Sequence, residues 1–171
     1  STVEENVCTT NYVERQPSLV FEREGLLQQP LGIEVGADGR IYVSESAEVA
    51  SRISVFEPDG TFVETIGSPG GADQVGAFFN RPFNADFGPD GTMYVVDTWN
   101  YRVRMFELSG EDPSMLTAWG QQYTAGDAAQ RIPVDGFWLP RDIAVDENGM
   151  VYVSDTGNKR IRVYDSNGAF Q

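Results

Sequence analysis

Histidine is absent from the 171 residues, and Cys8 is the single cysteine. The first absence removes Ser-His-Asp and Cys-His catalysis, histidine-bound zinc and histidine-based pH switching. The second removes an internal disulfide and any cysteine-rich metal site. Cys8 is left as an inert thiol or, in a secreted setting, a link to another chain. Lysine is nearly missing too, since Lys159 is the only one. Basic charge as a whole is scarce: 12 Lys plus Arg face 26 Asp plus Glu, a formal net charge of -14. Such a surface repels phosphate backbones and anionic leaflets, so neither nucleic acid nor direct membrane insertion is expected. No apolar run approaches the roughly 18 residues of a membrane span. No signal peptide is recognisable, and a start at Ser1 rather than Met leads us to expect a processed or cut N-terminus.

What is present suits a folded, β-rich domain. Hydrophobic residues make up 40% and aromatics 12%, and the 18 Gly and 9 Pro are spread along the chain at turn-like positions. One unit is written three times. The first copy runs Pro30-Leu31-Gly32-Ile33-Glu34-Val35, Asp38-Gly39, Ile41 to Glu45 and Arg52 to Phe56. The second runs Pro82 to Phe87, Asp90-Gly91, Met93 to Asp97 and Arg102 to Phe106, and the third Pro140 to Val145, Asn148-Gly149, Val151 to Asp155 and Arg160 to Tyr164. From Pro to turn Gly is nine residues in every copy. From the acid to the Arg is five residues in the last two copies and seven in the first, where two residues are inserted around Glu48 to Ala50.

Asp-Gly and Asn-Gly are hairpin-turn signals, and the segments that follow alternate apolar and polar side chains as strands do. A second turn at Asp59-Gly60, Ser109-Gly110 and Asn167-Gly168 leads to a fourth strand, Phe62 to Ile66 and Met115 to Trp119, which the third copy barely begins at Phe170. Four antiparallel strands per unit, repeated at 52 and then 58 residues, form the pattern of β-propeller blades. The expected divisions are an N-terminal extended arm over 1–17, a first blade with a preceding outer strand over 18–67, a second over 68–120 and a third over 121–171. Within the 18–67 division, Ser18-Leu19-Val20-Phe21 reads as the outer strand that precedes the first copy. The long links Ser68 to Phe79 and Gln121 to Trp138 cross one rim of the array, where loops build binding faces.

The phrase Val153-Ser154-Asp155-Thr156-Gly157-Asn158-Lys159-Arg160-Ile161-Arg162-Val163-Tyr164 resembles the NHL repeat, as does Val95 to Val103; the first copy keeps only Glu45 and Arg52-Ile53. The resemblance covers roughly residues 18 to 171. It implies an all-β propeller, usually of six blades, of which this chain supplies about three. Three blades leave open edges and bare faces, so the remaining blades are expected from the same longer chain or from another copy. The stop at Gln171, inside the expected outer strand, favours a longer chain.

The agreements between copies point to structure. Glu45 with Arg52, Asp97 with Arg102 and Asp155 with Arg160 recur as an acid at one strand end and a guanidinium at the next strand start, which suits pairing within each repeat. The disagreements point to function. Arg81, Phe83, Asn84, Trp99, Asn100, Tyr101, Trp138, Arg141, Asp142 and Lys159 are candidates for a binding surface on the upper rim, rich in the aromatic and guanidinium groups that dominate interfaces. Packing between blades is an equal expectation for Phe83 and Trp138. Asn84 and Asp86 share a strand face and, with Asp142, form a candidate calcium set, although the sequence requires no cofactor. Two functions follow. The leading one is a recognition or scaffolding surface for protein or glycan, outside the cell or at its surface. The other is a metal-dependent hydrolase or lyase at the channel, against which stands the reliance of NHL-class amidating lyases on histidine. RNA binding by some NHL propellers resembles a basic upper face, which a charge of -14 opposes.

Overall fold

The computed structural model describes residues 27–73, 76–108, 113–122 and 136–171. The arm expected before residue 18, the strand at Ser18–Phe21, Cys8 and most of the second long link lie outside the described residues. The first copy folds into β1 (Pro30–Val35), β2 (Ile41–Ala47), β3 (Ala50–Phe56) and β4 (Phe62–Ile66), hydrogen-bonded in that order as one antiparallel sheet. A short parallel pair, β5 (Ser68–Pro69) with β6 (Phe78–Phe79), carries the chain across to the next sheet. The second copy gives β7 (Ala85–Phe87), β8 (Met93–Asp97), β9 (Arg102–Glu107) and β10 (Ser114–Trp119). A second parallel pair, β11 (Gln121–Gln122) with β12 (Gly136–Phe137), repeats the crossing. The third copy gives β13 (Asp142–Val145), β14 (Val151–Asp155) and β15 (Arg160–Tyr164), and a bridge between Tyr164 and Phe170 begins a fourth strand. These are three blades of a β-propeller.

The hairpin glycines work as their sequence positions imply. Gly91 stands at φ +83°, a conformation costly for any residue with a Cβ, and the Asp90 carboxylate accepts the Thr92 amide across the turn at 3.0 Å. The inner strands β1, β7 and β13 stand side by side along the channel.

Strand alternation in β8 builds two separate cores. Met93 and Val95 face the first blade and join Tyr42, Ile53, Val55, Phe79, Ala85 and Phe106. Tyr94 and Val96 face the third blade and join Val103, Met105, Phe137, Ile143, Val151, Val153 and Tyr164. The second blade is therefore covered on both faces. The outward faces of the other two are partly open: Leu31, Ile33 and Val35 of β1 and Ile161 of β15 are more than half exposed, while Val43 and Phe56, on the same outward face of the first blade, are buried. An interior this apolar is worth about 25 cal/mol per Å² removed from water, so each internal blade interface is a large part of the stability.

Candidate functional site

The strand directions divide the ends of the blades into two rims. The β2–β3, β8–β9 and β14–β15 turns and both crossings lie on one, called here the upper rim. The β1–β2, β7–β8 and β13–β14 turns lie on the other.

Each acid–Arg pair is a clasp that fastens the upper-rim turn to the chain entering the blade. Glu45, Asp97 and Asp155 are fully buried. Their partner arginines lie close: Arg52 Nε at 2.8 Å, Arg102 Nε at 2.8 Å and Arg160 Nε at 2.7 Å. Each carboxylate also accepts a backbone amide from 17 residues earlier, donated by Gln28, Asn80 and Trp138 in turn. Asn100 and Asn158 complete the last two clasps by donating to Asp97 and Asp155 at 2.9 and 2.8 Å. The guanidiniums reach on to crossing carbonyls, Arg102 to Ala72 and Phe78 and Arg160 to Gly136. Burial pushes the Asp97 carboxyl above its usual range, against the pull of the Asn80, Asn100 and Arg102 hydrogen bonds. The fully buried Arg104, 3.4 Å from Asp97, is lowered chiefly by the same burial. Asn100, grouped by sequence with the rim surface, is buried and also donates to the Gly70 carbonyl, so it belongs to the clasp.

Six of the remaining rim residues form three pairs over aromatic rings. The Arg81 guanidinium lies 5.0 Å over the Trp99 ring. Arg141 lies 4.9 Å over Phe83. Tyr101 and Trp138 stack at 5.8 Å with their planes 22° apart. Trp99 is 45% exposed, unusual for so large an apolar ring. Backbone contacts set these positions. The Arg81 amide donates to the Ser51 hydroxyl at 2.9 Å, joining first and second blades, while the Ser46 hydroxyl bonds the Pro82 carbonyl. Trp99 donates its amide to Asn80, and Gly157 donates its own to Trp138 at the equivalent place. A Cβ on Gly157 would strike the Trp138 ring, so glycine is what lets that ring lie down. Five non-glycine residues of this rim adopt left-handed backbone: Gln29 at φ +54°, Arg81 at +49° and Leu139 at +49°, each just before a blade-opening proline, and Tyr101 at +55° and Lys159 at +54°, each just before the third strand of its blade. That conformation costs roughly 1 kcal/mol or more per residue, and its recurrence at equivalent positions of the copies marks it as part of the repeat. Ser51 and Glu48, whose carboxylate lies 3.6 Å from Arg81, went unmarked in the sequence. Their only signal was the insertion in the first copy.

Asn84, Asp86 and Asp142 meet at the inner strands as bridges between blades. Asn84 Nδ2 donates to Asp142 Oδ1 at 2.7 Å, and Asp86 Oδ2 accepts the Val145 amide at 2.6 Å. Asp86 Oδ1 accepts the Phe87 amide, and Asp142 Oδ1 also accepts that of Ile143. Asn84 Oδ1 is buried without a hydrogen-bond partner, lodged against Gly32 of the first blade.

Acids dominate the lower rim, and on the upper rim the exposed acids Glu48, Asp73 and Asp142 stand among the cations. The lower rim carries Asp38, Glu57, Asp59, Asp90, Glu107, Asp146, Glu147 and Asp165, with Arg40 paired to Glu57. Several of these acids are tied into turns; Asp146 accepts the Met150 and Asn148 amides and is held below the usual carboxylate range by those bonds. A cleft of about 590 Å³ opens there between the first two blades, past Asp38, Tyr42, Phe87, Asp90 and Leu116. The Tyr42 hydroxyl donates to Asp38 at 3.0 Å, and burial first, then that bond, pushes it up. On the upper rim, Arg141 and Lys159 are exposed and make no ion pair among the described residues.

Comparison with known proteins agrees with this geometry. The NHL repeat profile matches residues 137–164. Human NHL repeat-containing protein 3 is 28% identical over 159 residues, covering 91% of this chain and 41% of that protein. The fold is similar to a gluconolactonase from Xanthomonas campestris at a TM-score of 0.63 and 20% identity, covering 89% of this chain and 49% of the other. It is also similar to virginiamycin B lyase from Staphylococcus aureus at a TM-score of 0.53 and 17% identity, covering 84% and 40%. The chain spans less than half the length of each of these proteins.

Proposed function

Because the chain belongs to the NHL-repeat family, we propose that its upper rim is a recognition surface for a protein partner, built on Trp99, Tyr101, Trp138, Arg81 and Arg141. One observation carries the reading: the residues that vary between copies come together as three pairs over aromatic rings on one rim, with an indole left open to solvent. Trp, Tyr and Arg are the side chains on which binding energy concentrates, because each offers a broad face at low cost in conformational freedom. The pairs are already formed before a partner arrives, so little ordering remains to be done on docking. A coarser scaffolding role follows from the propeller itself, which presents the rim rigidly.

The test is selection of twelve-residue peptides from a random display library on the immobilised chain, followed by calorimetric titration of those that bind. Trp99→Ala and Arg141→Ala are expected to weaken them at least tenfold, and Asp59→Asn on the lower rim less than twofold. Selected peptides indifferent to both rim substitutions would overturn the reading.

A second reading, metal-dependent hydrolysis or elimination at the channel, draws on the orphaned Asn84 Oδ1 beside Asp142 and on the likeness to a gluconolactonase and a lyase. The donor set fits it poorly. Calcium takes about six to eight oxygens, while both Asp86 oxygens and one of Asp142 already accept hydrogen bonds. Among the described residues no three His, Cys, Asp or Glu side chains gather at one point. Calcium binding at micromolar concentration, lost in Asp142→Ala, would put it first.

A further inference from the structure

We propose that the upper rim takes an acidic peptide segment, whose carboxylates seat on Arg141, Lys159 and Arg81. The proposal rests on the recognition reading above and names the chemistry of its partner.

The net charge of -14 argues for a basic partner at first sight. Distance decides otherwise. The strands joining the rims run five to seven residues, so at about 3.3 Å per residue the rims stand roughly 16–23 Å apart. The Debye length at physiological salt is about 8 Å. A ligand at the upper rim therefore feels the groups of that rim, and the lower-rim aspartates are largely screened from it.

Local chemistry then favours carboxylates. Arg52, Arg102 and Arg160 have their charge committed to buried acids. Arg141 and Lys159 do not, and both are exposed. The Arg141 guanidinium lies over the Phe83 ring, 4.9 Å from its centroid, and a guanidinium presents a planar fork of donors that suits a bidentate carboxylate. The Arg81 guanidinium lies over Trp99 at 5.0 Å from its centroid. Its one acidic partner, Glu48, is 3.6 Å away with its side chain 84% exposed. Such a surface pair is worth about 0–1 kcal/mol, so an incoming carboxylate displaces it readily. Asp142, the acid next to Arg141, has one carboxylate oxygen accepting from Asn84 and from Ile143. Lys159 closes the β14–β15 turn, whose Gly157 amide donates to the Trp138 carbonyl, in a left-handed backbone that glycine would adopt at less cost. Three cations are few for RNA, whose affinity comes from many phosphate contacts and counterion release. They suit two or three carboxylates.

Fluorescence anisotropy tests this with fluorescein-labelled hexaglutamate, hexalysine and a ten-residue polyuridine at 50 and 300 mM NaCl. Hexaglutamate is expected to bind at the lower salt and to weaken at least fivefold at the higher. Arg141→Glu and Lys159→Glu should each weaken it at least tenfold, while Asp146→Asn changes it less than twofold. Lys159→Gly, which suits the left-handed turn, is expected to keep the fold by circular dichroism and still lose at least threefold. No hexaglutamate binding at millimolar concentration, indifference to the charge reversals, or tighter binding of polyuridine or hexalysine would each overturn the proposal. Rim-dependent display peptides without acidic residues would sink it and leave the recognition reading standing. Display peptides indifferent to the rim would sink the recognition reading itself.

Discussion

The second and third blades carry nearly the same phrase and differ in what covers it. Met93-Tyr94-Val95-Val96-Asp97 is buried at every position, whereas Val151-Tyr152-Val153-Ser154-Asp155 is buried only at alternate ones. Tyr94 is 1% exposed and its counterpart Tyr152 37%. Val103 is sealed while Ile161 is 64% exposed. The sequence is consistent with a blade covered on both sides in each case. Only the second has both neighbours among the described residues. A blade's composition thus records the ring it was selected to sit in, and its burial records the neighbours it has.

The sharpest way to break that comparison is to cut equivalent clasps. Arg102→Ala leaves the buried Asp97 carboxylate with Arg104, Asn80 and Asn100 but without its closest cation, which costs about 3 kcal/mol. Arg160→Ala removes the same contact where the guanidinium is 28% exposed, so water partly replaces it, and the cost is about 1.5–3 kcal/mol. Urea unfolding of the two variants measures the difference. Equal costs would mean that the third clasp is as closed to water as the second.

A smaller effect tests the faces themselves. Val103→Ala opens a cavity in the core shared by second and third blades and costs about 2–3 kcal/mol. Ile161→Ala, on the open face, changes stability by about 0.5 kcal/mol or less. If Ile161→Ala proves as costly as Val103→Ala, another blade covers that face in solution.

This contrast also marks how far sequence alone reached. The three copies, their hairpin turns and their acid–Arg pairs were legible because each lies within one unit, where spacing along the chain fixes what meets what. Contacts between units were not. Nothing in the spacing says that Asp86 reaches the Val145 amide, or that Asn100 turns inward to Gly70 while Trp99 beside it stays outside. The pairing of large with small is equally hidden. The second blade joins Trp99 to Asn80 and the third joins Gly157 to Trp138 by the same backbone hydrogen bond, with the indole on opposite sides of it. Read copy by copy, those positions look merely unlike. The open faces were hidden for the opposite reason: Leu31 and Ile161 look like core residues because in a longer array they would be.

The smallest expected effect sets two aspartates of the same two blades against each other through pH. Asp97 has its folded-state pKa raised, chiefly by burial. Folding then favours the protonated form, so the group's contribution falls as pH rises from the ordinary aspartate value through the raised one. Asp146, in the exposed turn of the third blade, has its folded-state pKa lowered, chiefly by the Met150 amide. Its contribution is present above the ordinary value near 3.8 and is lost as pH falls through the lowered one. The stability gap between the natural chain and Asp146→Asn should therefore shrink on acidification. The gap to Asp97→Asn should widen over the window just above the ordinary value. Urea midpoints between pH 6 and pH 3 give both slopes. Slopes of the same sign would show that hydrogen bonds, rather than burial, govern Asp97, and would place the second clasp in an environment like that of the exposed turn.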